Sequence, residues 1–174
     1  SWIPLWFGHQ DHPEEENPVF GTARVLKSLE ELGWADTPAA VRGYRWLESV
    51  QQPDGGWSGG AASTASDPPV RSPSSVEETA LAVEALLGSP RSVLSDRAIA
   101  RGLEWLVEAV EADSHRENAP IGFYFAKLWY HERLYPLVFG LAALGQAVRQ
   151  LTPQTTHFPT ELTISAADHD AANN

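Results

Sequence analysis

Cysteine and methionine are both absent from the 174 residues. The first absence excludes disulfides, thiolate nucleophiles and cysteine-ligated zinc, and it leaves the redox compartment unread. Basic residues are scarce, with 12 Lys+Arg against 23 Asp+Glu and a formal net charge of -11. A surface so acidic repels phosphate backbones, so nucleic acid is excluded as a partner class. No apolar run approaches the ~18 residues that a membrane-spanning helix needs. P-loop, Gly-x-Gly-x-x-Gly and Gly-x-Ser-x-Gly patterns are missing too, which removes the usual signatures of nucleotide binding and serine hydrolysis. The abrupt start in the aromatic stretch SWIPLWFG reads as a segment of a longer polypeptide.

What is present is a globular composition: 43% hydrophobic residues and seven tryptophans. Residues 1–151 are expected to form one domain, and 152–174 a polar, disordered tail. Apolar residues recur at helical spacing with no convincing strand alternation. PVFGTARVLKSLEEL predicts a helix from Pro18 to Leu32 that Gly33 stops. Thr37 caps a second that ends at Gln51 or Gln52. SSVEETALAVEALLG predicts a third with a serine cap, and residues 95–112 and 135–151 a fourth and fifth. The Gly/Ala/Ser/Pro-rich stretch from Gly55 to Ser75 is long enough to suggest a covering or gating loop.

An internal repeat organises these helices. RGYRWLESV from Arg42 returns as RGLEWLVEAV from Arg101, an offset of 59 residues. Recurring helix pairs at such a period indicate stacked helical hairpins, in an open solenoid or a closed ring. The first copy continues into QQPDGGW. There the amides of Gln51 and Gln52 would serve unpaired carbonyls at the helix end, and Gly55 and Gly56 would reverse the chain. Trp57 would then lie flat against a glutamine amide. The spacing fits an ordinary capped helix with a core tryptophan equally well.

RGYRWLESVQQPDGGW resembles the QW motif of triterpene cyclases, with Arg42, Gly43, Gln51, Gly55 and Trp57 at the matching positions. The order of further segments is also similar to the C-terminal part of squalene-hopene cyclases. WFG with NPVFGTARVLKSL, SPSSVEETALAVEALL, and GFYFAKLWYHERLYPLVFGLAALGQ each have a counterpart there, so the resemblance covers about residues 2–150. It implies an all-α fold, part of an incomplete (α/α)6 barrel or α/α toroid. It further implies a role in triterpenoid or hopanoid biosynthesis, as an isomerase acting on a polyprenoid substrate such as squalene. No cofactor and no metal are called for, and a homodimer of the full-length protein is allowed. Attachment as a peripheral membrane protein on the cytoplasmic face is implied as well, although no basic anchoring helix is visible in the sequence. The family's proton donor is an Asp-x-Asp-Asp motif upstream of this region, and none occurs here, so this segment alone is expected to be inactive and to hold no catalytic residue.

Carbocations formed during polyene cyclisation are quenched by water and deprotonated by bases, so a cavity wall must be dry, non-nucleophilic and rich in π faces. Phe123, Tyr124, Phe125, Trp129, Tyr130 and Tyr135 supply one cluster of rings, and Trp6, Phe7 and Phe20 a second. Packing of a helical core is the plainer use of such rings, and it is the resemblance that favours the cavity. The match has departures. Acidic Glu14 to Glu16 are inserted after His9-Gln10-Asp11-His12. Phe20 stands where the family places a tyrosine that helps order the network around the acid. A non-catalytic helical-repeat module binding a protein or apolar ligand is the alternative reading, and a prenyltransferase-like barrel lacks its cysteine ligand.

Two polar groupings are weighed against this. His9, Asp11, His12 and Glu14 have metal-ligand residue types, but a proline-bounded loop reads as an exposed charged segment. Glu77, Glu78 and Glu84 invite an acid/base reading, but carboxylates at a helix start are expected as solvated caps favoured by the dipole.

Overall fold

A computed structural model describes residues 1–60, 72–125, 128–130 and 132–152, with only the backbone at Val93, Tyr124 and Phe125. The expected tail beyond residue 152 and the middle of the Gly/Ser/Pro-rich loop lie outside the described residues. Among those described are five α-helices: α1 (Pro18–Glu31), α2 (Pro38–Val50), α3 (Val76–Leu87), α4 (Val93–Glu111) and α5 (Tyr135–Leu151). Side-chain caps set most of the starts. Asn17 Oδ1 accepts from Phe20 N at 2.9 Å, Thr37 Oγ1 from Ala40 N at 3.4 Å, and Ser75 Oγ from Glu78 N at 3.2 Å. Helix α4 begins two residues earlier than its spacing predicts. Ser92 and Ser95 close a reciprocal box in which Ser95 N donates to Ser92 Oγ at 3.1 Å and Ser92 N to Ser95 Oγ at 2.8 Å.

Helix α3 is apolar nearly all round, and of its residues only Glu84 is not buried, as suits an element covered on every side. Helices α1, α4 and α5 pack on it, and α2 lies against α1 and α4. Successive helices thus alternate between two layers, α1, α3 and α5 in one and α2 and α4 in the other. Leu26, Leu47, Leu81, Leu86 and Leu106 fill the space between them and are all fully buried.

A small antiparallel sheet joins this helical body, contrary to the expectation of no strand. β1 (Phe7–His9) pairs with β2 (Ile121–Phe125), which pairs with β3 (Leu128–Tyr130). Each strand is short, and β1 and β2 are far apart in sequence. Alternation within three or five residues is too brief a signal to read.

The QQPDGGW turn ties its own helix to the second repeat. Gln51 Nε2 donates to Gly55 O at 2.8 Å and to Ala98 O of α4 at 2.9 Å. Gly55 makes the reversal at φ +100, where a side chain would be strained. The Trp57 indole is fully buried and its Nε1 donates back to Leu47 O at 2.9 Å. Its opposite edge covers Gly102, where a Cβ would come within 2.8 Å of the ring and 2.5 Å of Val83. Arg101 Nη2 donates to Gln52 O at 3.1 Å and Pro53 O at 2.6 Å, and Trp105 Nε1 to Asp54 Oδ2 at 3.3 Å. The turn therefore makes two separate ties, the Gln51 amide to α4 and the Trp57 indole to α2. Arg42 and Gly43, the front of the same motif, sit elsewhere. Gly43 lies under the Trp2 ring, where a Cβ would meet it at 2.5 Å, while Arg42 is exposed. The glycine of each Arg-Gly pair packs under the tryptophan of a preceding segment, Gly43 under Trp2 and Gly102 under Trp57, so the structural repeat is offset from the sequence repeat.

Candidate functional site

Strand register builds a row of rings. Phe7 lies opposite Phe123 and Phe123 opposite Tyr130, and directly opposed residues share one sheet face. From α1, Phe20 stacks on Phe7 with ring centroids 3.8 Å apart. Phe123 meets Phe7 edge-on at 6.5 Å, and Tyr135, the first residue of α5, approaches Phe7 at 5.9 Å and stacks on Phe139 at 5.3 Å. Phe7 is buried, but Phe123 is 50% and Tyr130 57% exposed, so the row has a closed end and an open end.

Of the rings predicted as lining, Phe20, Phe123 and Tyr135 are brought together around Phe7, and Tyr130 stands opposite Phe123 on the edge strand. Trp129 is not. Its strand position is opposite Tyr124, and its ring lies over Gly8, on the reverse face, where a Cβ would come within 3.0 Å of it. Trp6 is 53% exposed. The side chains of Tyr124 and Phe125 lie outside the described residues. Phe139 was missed by sequence reading, although its place one helical turn after Tyr135 was a usable signal. Clefts of about 650, 230 and 180 Å3 occur elsewhere, and none of the three is lined by this row.

Behind the row is a buried polar cluster that corrects the reading of solvated caps. Glu77 and Glu78 are both fully buried. Glu78 Oε1 accepts from Asn17 Nδ2 at 2.8 Å and Gly59 N at 2.7 Å, and its Oε2 from Ser75 Oγ at 2.7 Å. Burial pushes this carboxyl up to about 7 while the three donors pull against the shift. Glu77 Oε1 accepts from Ala119 N at 2.9 Å, its Oε2 has no hydrogen-bond partner among the described residues, and burial raises its pKa also. Through these bonds the start of α3 holds three distant segments: the cap of α1, which carries Phe20; the chain after Trp57; and the approach to β2, which carries Phe123.

His9, expected in an exposed loop, is buried on β1, two residues from Phe7 and so on the same strand face. Its Nδ1 accepts from Asp11 N at 3.1 Å, which places the ring proton on Nε2, 4.0 Å from Glu78 Oε2. Burial lowers its pKa, favouring the neutral ring. Asp11 and Glu14 are exposed. Among the described residues no group of three or more His, Asp or Glu side chains is placed to hold a metal ion.

Comparison with known proteins follows the same lines. The family model described as the squalene-hopene cyclase C-terminal domain matches residues 5–149. The chain is 31% identical over 128 residues to the enfumafungin synthase efuA of Hormonema carpetanum, an alignment covering 71% of this chain and 9% of that protein. It is 35% identical over 110 residues to a squalene-hopene cyclase of Bradyrhizobium diazoefficiens, covering 62% of this chain and 15% of that one. A terpene cyclase-glycosyl transferase fusion protein, fsoA of Humicola fuscoatra, is 37% identical over 95 residues, 52% of this chain and 7% of its own length. The matched stretches thus span 15% or less of these relatives.

Proposed function

We propose, on the premise that the chain belongs to the squalene-hopene cyclase C-terminal domain family, that it forms part of the cavity wall of a triterpene cyclase. Membership sets the fold class, the α/α toroid of class II terpene cyclases. The further reading is that the ring row steers a carbocation during cyclisation of a polyprenoid such as squalene. The observation that carries it is the open end of the row, where Phe123 and Tyr130 are exposed, while Phe7, packed against Phe20 and Tyr135, meets Phe123 edge-on from behind. A cation over one ring gains roughly 0.5–2 kcal/mol, so a steering surface needs several rings held in fixed relation. The stacked inner rings leave no space between themselves, so the surface facing substrate is the outer one.

The chain has no Asp-x-Asp-Asp motif, and the proton that starts the reaction is assigned to a part of the protein outside it. A polyprenoid substrate dissolves in lipid, so the same reading includes peripheral contact with one membrane leaflet, on the cytoplasmic face. Among the described residues no helix is long and apolar enough to cross a membrane. The test is Tyr135→Ala in the full-length enzyme, which is expected to change the mixture of cyclised products more than the melting temperature. Unaltered products with a collapsed melting temperature would make Tyr135 a core residue and end the proposal.

A further inference from the structure

The cleft of about 650 Å3 lies between α2 and α4, in the layer away from the ring row. Val41, Leu94 and Ala98 give it apolar walls, and Arg45, Arg97 and Arg101 contribute to its lining. Arg101 is fixed in place by the carbonyls of Gln52 and Pro53. Arg45 and Arg97 are exposed and have no hydrogen bond or ion pair with any described residue. The only carboxylate in the lining is Glu48, whose pKa burial raises and Arg45 pulls back. In a chain with 23 Asp+Glu against 12 Lys+Arg, three arginines around a single carboxylate, with Arg45 beside Glu48 and Arg97 unpaired among the described residues, are a local reversal of sign.

We propose that this cleft binds an amphiphile bearing a phosphate monoester, with Arg45 and Arg97 on the phosphate and Val41 and Leu94 against the alkyl portion. Guanidinium forks match phosphate oxygens bidentately, and a doubly charged group with three free oxygens uses more than one of them. The volume is that of an ordinary small-ligand site, about 300–1,000 Å3. An anionic lipid headgroup and a soluble phosphate ester share this chemistry. The site does not depend on the cavity assignment.

The experiment uses the full polypeptide that carries this chain. Its binding is measured to phosphatidylcholine vesicles, to vesicles that also contain phosphatidic acid, and to dihexanoyl phosphatidic acid below its micelle concentration. At least one phosphate source should bind about ten-fold more tightly than phosphatidylcholine alone, and added salt should weaken that binding. Arg45→Gln with Arg97→Gln should abolish the difference at an unchanged melting temperature, while Arg24→Gln on α1 should leave it intact. Leu94→Glu, at a position 68% exposed, tests the site independently by placing a like charge in it. A vesicle-only response assigns the ligand to a membrane headgroup, and a response to the soluble ester assigns it to a free metabolite. Absence of any phosphate preference overturns the site, as does retained binding in both the double variant and Leu94→Glu, or equal loss in Arg24→Gln.

Discussion

Two aromatic regions of the molecule differ in how completely they are closed. At the Gln51–Trp57 turn the indole is fully buried, its N–H is satisfied by Leu47 O, and glycine and arginine of the next repeat seal it. At the ring row, Phe123 and Tyr130 are half exposed or more, Phe123 meeting Phe7 edge-on and Tyr130 lying across the strand from Phe123. Trp57 therefore belongs to the fold, whereas the row keeps an exposed end. Trp57→Ala should show the largest effect, roughly 3–5 kcal/mol lost, because a large side chain and a buried hydrogen bond vanish together. Chemical denaturation measures it, and a loss below about 1 kcal/mol would erase the distinction between the regions.

The two regions are joined through Glu78, which bonds the chain just after Trp57 and the cap of the helix that carries Phe20. Its carboxyl is raised by burial from 4.5 to about 7, so the folded chain keeps a proton that the unfolded chain releases. Stability from this group is full below pH 4.5 and is lost as the pH rises through about 7, a change of roughly 3 kcal/mol. Glu77 is shifted the same way. His9, shifted down, acts oppositely, contributing above pH 6.5 and losing that contribution as the pH falls. Glu78→Gln keeps the acceptor for Asn17 and Gly59 but cannot ionise. Its unfolding free energy should vary less than the wild type's between about pH 5 and 8. Identical slopes in the two proteins would show that the buried carboxyl does not titrate in this range.

The helices were legible because their signals are local. Thr37, the serine before α3 and Gly33 mark ends within a few residues of the apolar pattern they bound. The repeat was legible as a sequence echo, but its offset was not, since the partner of Gln51 and Trp57 is the Arg101–Trp105 segment far along the chain. For the same reason Glu77 and Glu78 read as solvated caps. Acidic residues in a first helical turn look alike whether water or Ala119, Asn17 and Gly59 supply the donors. In the site, aromatic composition announced the rings, but only strand register could separate Phe123 and Tyr130 from Trp129 on the opposite face.

Phe123→Ala sharpens the comparison from its small end. The ring is half exposed and touches Phe7 edge-on, an arrangement worth about 1 kcal/mol or less beyond its partial burial. Its removal leaves Phe7 stacked on Phe20 and the helical core untouched, so the denaturation midpoint should barely move. On the proposed cavity-wall reading, the same change in the full polypeptide removes a π face from the open end of the row, and the ratio of cyclised products should shift while unfolding does not. Gas chromatography of the products and thermal melting of the same preparation read both quantities together. A Phe123→Ala variant destabilised as strongly as Trp57→Ala would place the ring in the core, whereas unaltered products at unaltered stability would show that the open end faces solvent and no cation.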